Sequence, residues 1–126
     1  MSVADPKCFV RLKEPIPALD HVRYVDHRQF AVAHCVIDRI AGEIGVSRLN
    51  DFYVYDGEYG STPLQWHSAD DGLAAIRAVT SHIQSHEDIG ISPESRTETL
   101  AVLSRIEHIL SEAADRDIAF CVVGNY

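Results

Sequence analysis

The stretch IAFCVV, residues 118–123, is an unbroken run of apolar residues rich in β-formers. Strands that are covered on both faces of a sheet have this composition, whereas half-exposed strands alternate apolar and polar residues. The run therefore predicts a central strand near the end of the sequence, with the other elements arranged around it.

The first helix is predicted upstream, over residues 27–44, where apolar residues recur at helical spacing. Asp26 and Gln29 lie three residues apart at the start of this helix, which is the spacing of a capping box. In a capping box each side chain accepts a hydrogen bond from the backbone amide of the other residue. Gly45 follows the last apolar residue and is placed to end the helix.

Two more helices are predicted between residues 68 and 115. Ser68 and Asp71 have capping-box spacing before an apolar stripe that ends at Ile83. Ser92 precedes Pro93, which suits the first position of a helix whose apolar band covers about half its circumference. A band of that width indicates contact with both a sheet and a neighbouring helix.

Strands are predicted where apolar and polar residues alternate. The segments are CFVRLKE at 8–14, DFYVY at 51–55 and STPLQWH at 61–67, and HVRYV at 21–25 is a weaker candidate that is not counted among the four strands of the sheet. The turn DGEYG at 56–60 joins the middle two segments into a predicted hairpin. We therefore expect one α+β domain over residues 1–126, in the order β-α-β-β-α-α-β, with three helices packed on a four-stranded mixed sheet. The last strand should run parallel to the first hairpin strand and antiparallel to the second.

Charge and cysteine content limit the classes of partner and the cellular location that we expect. The net charge is −8 and the only lysines are Lys7 and Lys13, so the basic stripe that phosphate backbones require is missing. Attraction to an anionic membrane is disfavoured for the same reason. Cys8, Cys35 and Cys121 form no CxxC motif, which is typical of reduced, buried thiols in a cytoplasmic protein. We expect neither nucleic acid nor a membrane as partner.

Two histidine groups are candidates for chemistry. His82 and His86 lie four residues apart, as two ligands of one metal ion on a helix would, but Ile83 stands where zinc proteases have a glutamate. His34 and Asp38 have the same spacing, and a carboxylate that holds an imidazole is half of a catalytic triad. Both pairs also suit the polar side of an ordinary helix, and no nucleophile motif accompanies them. GxxxxGK[ST] and GxGxxG are absent, so neither a P-loop nucleotide hydrolase nor a standard dinucleotide-binding fold is expected. Since the histidine pairs suit an ordinary helix flank, we expect no metal and no cofactor.

The predicted hairpin carries the strongest signal for binding. Its candidate surface, called here the hairpin surface, consists of Tyr53, Tyr55, Asp56, Glu58 and Tyr59. Tyrosine is enriched at binding hot spots, and the carboxylates would steer a basic partner. The competing interpretation is that a helix covers the two strand tyrosines on the second face of the sheet.

These patterns favour a small acidic cytoplasmic domain without catalytic activity that binds a protein partner. Its size and charge are similar to those of small acidic bacterial proteins that neutralise basic toxins, so an immunity-like or adaptor-like role is expected. The alternatives are a metal protein or small hydrolase that uses His82 and His86, or His34 with Asp38, and a structural homo-oligomer. The acidic composition also has a simpler explanation in solubility.

Overall fold

The computed structural model describes residues 7–8, 10–19, 24–25, 27–55 and 65–124, with side chains for residues 10–19, 30–52 and 65–122. Its order is β1-β2-β3-α1-β4-α2-α3-β5. The strands are β1 (Lys7–Cys8), β2 (Val10–Leu12), β3 (Tyr24–Val25), β4 (Tyr53–Tyr55) and β5 (Phe120–Gly124); the helices are α1 (His27–Ile44), α2 (Ala69–Ser85) and α3 (Pro93–Asp115); 3₁₀ turns span Pro17–Leu19 and Leu49–Phe52.

The predicted four-stranded mixed sheet is wrong. Within the described ranges, β2, β5 and β4 form a three-stranded sheet in that order, and β1 pairs with β3 in a separate two-stranded sheet. The strands are two to five residues long, whereas the helices have 18, 17 and 23 residues. Helices therefore dominate the described part of the chain, and the sheet is a small layer beside them.

β5 is nonetheless the central strand. β2 runs antiparallel to it, with Arg11 opposite Cys121, and β4 runs parallel to it, with Tyr53 opposite Val122. Phe120 and Cys121 point to opposite faces and both are buried. The prediction of a strand covered on both faces is confirmed, as is its parallel direction relative to the first strand of the expected hairpin.

The expected second hairpin strand does not form in residues 65–67. His67 makes a single antiparallel bridge with Phe120, through amide-to-carbonyl hydrogen bonds of 2.8 and 2.9 Å in the two directions. α2 begins two residues later at Ala69, and on the other side of the bridge Val122 is already paired with Tyr53 of β4, so the ladder does not extend. Residues 61–64, the other part of the predicted strand, lie outside the described ranges.

The helix boundaries follow the sequence more closely. α1 covers the predicted residues, and Gly45 ends it with φ of 78°. Ser92 caps α3 by accepting a hydrogen bond of 3.1 Å from the amide of Ser95, with Pro93 at the first turn. Ser68 is the cap residue of α2, but its side chain makes no capping hydrogen bond, so the predicted capping box is wrong there. The predicted capping box before α1 lies outside the described side chains.

The three helices pack against one another, and α3 contacts both α1 and α2. The buried apolar residues form one continuous cluster that includes residues of all three helices and of β5. α2 reaches the sheet at Gly72, since a Cβ there would overlap the ring of Phe120. No helix within the described ranges is long and apolar enough to cross a bilayer.

The connection from α3 to β5 is a Schellman motif. The amide of Ile118 donates to the carbonyl of Ala113 at 2.8 Å, and the amide of Asp117 donates to the carbonyl of Ala114 at 3.1 Å. Asp117 occupies the left-handed position of the motif, with φ of 56°, where glycine is the usual residue. This tight turn brings the end of α3 directly to the start of β5.

Candidate functional site

The hairpin surface stays a prediction. Asp56, Glu58 and Tyr59 lie outside the described residues, and Tyr53 and Tyr55 are described by their backbone alone. That backbone belongs to β4, and Tyr55 pairs with Gly124 at the far end of β5.

The His34–Asp38 pair is brought together, and its carboxylate has a structural task. His34 Nε2 lies 3.0 Å from Asp38 Oδ2. The two Asp38 oxygens also accept from the amides of Leu49 and Asn50, at 2.7 and 3.3 Å. Asp38 therefore satisfies the first amides of the 3₁₀ turn at 49–52, the same kind of contact that a side-chain cap makes at a helix. These hydrogen bonds join α1 to the segment that follows it.

The His82–His86 pair adopts a geometry unsuited to chelation. The two rings stack with centroids 4.0 Å apart and planes 22° from parallel. Nitrogen lone pairs lie in the ring plane, so two nearly parallel rings do not direct them at one point between them. His86 Nδ1 lies 2.8 Å from the His82 carbonyl oxygen and so acts as its donor. Among the described residues, no group of three or more histidine, cysteine or carboxylate side chains could hold a metal ion.

Two arginines hold the loop between α2 and α3, and sequence reasoning missed both. The Arg96 guanidinium donates to the carbonyls of Ile83 and His86 at 2.6 Å each and to that of Glu87 at 3.1 Å. Arg39 of α1 donates to the carbonyl of Ile89. The acceptors are backbone atoms nine to fifty positions away in the chain, so no local pattern marks these contacts.

The cysteines differ from one another. Cys121 is buried in β5, as the sequence predicts, but Cys35 is exposed on α1, so the prediction of a buried thiol is wrong there. Val36 and Ile37 lie on the buried face of α1. Successive residues are rotated by about 100° around a helix, and this rotation places Cys35 on the exposed face. The Cys8 side chain is outside the described residues.

A small open cavity lies where α2 begins and β5 is about to begin. Its volume is about 90 Å³, and we call it the α2–β5 cavity. It is lined by Ser68, Ala69, Asp70, Ala114, Asp117, Ile118 and Ala119. The two halves of this lining are more than 40 positions apart in the sequence and meet only because α2 and α3 pack side by side, so no sequence motif could have shown it.

Glu112 lies in the last turns of α3, before the turn that lines this cavity. Arg116 bonds the Glu112 carboxylate at 2.5 Å, and this hydrogen bond and positive charge lower the pKa of Glu112 below its usual value. Asp70 and Asp117 are both exposed at the cavity. Two of the seven residues that line the cavity are therefore aspartates.

No family model, curated protein or solved structure matches the chain.

Proposed function

We propose that this protein is a non-enzymatic cytoplasmic domain that binds a basic protein partner, in the manner of an adaptor or an immunity protein. The observation that supports the proposal most is the excess of acidic residues, 19 against 11 lysines and arginines. Complementary charge steers the encounter of two proteins and suppresses partners of the same sign.

Three of the arginines make contacts within the molecule. Arg39 and Arg96 direct their guanidinium groups at backbone carbonyls, and Arg116 pairs with Glu112. These cations are used in contacts within the molecule. Exposed carboxylates are distributed over α2, α3 and their flanking turns, at Asp70, Asp71, Glu87, Asp88, Glu94, Glu98, Asp115 and Asp117.

The proposal is preferred to the hydrolase alternative because of Asp38. Its oxygens accept from two backbone amides besides contacting His34, which explains the residue by the architecture of the α1 connection. A triad carboxylate also holds an imidazole, so it is the two amide contacts that give Asp38 a structural role independent of any nucleophile.

The contact region proposed first is the hairpin surface, because tyrosines among carboxylates combine large contact area with charge. The test replaces Tyr55 and Glu58 together by alanine and measures recovery of cross-linked partners from cell lysate. We expect the double substitution to abolish the bands that the unchanged chain captures. The control is Glu14→Gln, an exposed carboxylate that belongs to neither α2 nor α3, which should leave capture unchanged. Equal capture by all three proteins would remove the hairpin surface from the proposal.

A further inference from the structure

We draw no further inference here: the strongest candidate, the exposed patch on α1 where Val32 and Cys35 lie about one helical turn apart, consists of one apolar side chain and one thiol, and nothing in the described residues shows what covers it.

Discussion

Asp117 holds a backbone conformation that most residues avoid. Its φ of 56° lies in the left-handed region, which brings the Cβ of an L-residue too close to the backbone. Aspartate adopts it more readily than most residues, but glycine adopts it without steric cost. The Schellman motif and the buried Ile118 after it fix the conformation of the turn.

Comparison of glycine with alanine at position 117 isolates this backbone cost. Both substitutions remove the carboxylate, but only glycine relieves the left-handed conformation. We expect Asp117→Gly to be more stable to urea than Asp117→Ala by about 1 kcal/mol. Asp115 is helical, so there the order should reverse and alanine should be the more stable of the two. The same order at both positions would show that the turn is not held in the left-handed region.

Thr99 presents a second residue-level anomaly, since it is fully buried in α3 and its hydroxyl has no hydrogen-bond partner within the described residues. Valine has the same shape without the unsatisfied hydroxyl, so Thr99→Val should increase the free energy of unfolding by about 1 kcal/mol. Thr80 provides the control, because its hydroxyl donates to the carbonyl of Ile76 at 2.9 Å. Urea unfolding that shows no gain for Thr99→Val over Thr80→Val would contradict the prediction.

The structural role of a single residue was predictable where the groups that it contacts are close to it in the sequence. Gly45 and Pro93 act within one turn of their own helices, so spacing alone revealed their roles. Asp117 was not predictable because aspartate is not the usual residue at such a turn. Arg39 and Arg96 were not predictable because their acceptors are carbonyls of a loop that tertiary packing brings to them.

At the scale of elements, the contact between α2 and the sheet depends on Gly72. A Cβ at this position would overlap the Phe120 ring and would lie 3.0 Å from Leu110 Cδ1. Glycine normally weakens a helix, by about 1 kcal/mol relative to alanine. Here the missing side chain lets the helix approach β5 closely.

Gly72→Ala should therefore destabilise the protein in spite of the better helix propensity of alanine. Overpacking of a buried site costs about 1–3 kcal/mol, which exceeds the propensity gain. Gly42 of α1 is the matched control, since the nearest atoms to a Cβ there would belong to the exposed guanidinium of Arg48, which can move aside. Gly42→Ala is expected to be neutral or stabilising by up to about 1 kcal/mol. Thermal unfolding of both variants checks the prediction, and a stable Gly72→Ala variant would refute it.

Helices were more predictable than strands because of their length. α1 and α3 each repeat their apolar spacing over several turns, so the signal accumulates. DFYVY at 51–55 has the composition of a strand, but contacts from Asp38 to the amides of Leu49 and Asn50 stabilise a 3₁₀ turn that takes its first two residues. Tertiary contacts thus shortened β4 to three residues.

For the whole molecule, the net charge of −8 should oppose folding at low ionic strength, because the compact state brings the carboxylates together. The Debye length falls from about 30 Å at 0.01 M salt to about 10 Å at 0.1 M. We expect the urea midpoint to rise when sodium chloride is increased over this range. The ion pairs Arg116–Glu112 and Arg39–Glu43 are exposed and should lose little in return.

A charge-reduced variant provides the control for this experiment. Replacing Glu94 and Glu98 by glutamine lowers the net negative charge by two and should reduce the response to salt. A midpoint that falls with added salt would indicate that attractive ion pairs, rather than repulsion among carboxylates, dominate the electrostatic energy.

The arrangement of the elements in the whole molecule was the hardest property to predict from the sequence. The central position of the last strand was predictable from its unbroken apolar run, but the number of strands was not, since alternation over a few residues does not show whether a ladder extends. The α2–β5 cavity lay beyond sequence reasoning because its two aspartates come from segments that only the packing of α2 against α3 unites. The hairpin surface stays a prediction.

The position of β5 has a consequence for biosynthesis. β2 and β4 each pair with β5, and no pairing of β2 with β4 exists in the three-stranded sheet. β5 follows all the other described elements in the chain, so it is the last of them to leave the ribosome. Until β5 has been synthesised, β2 and β4 have no strand with which to pair, although the residues of all three helices are already in the chain.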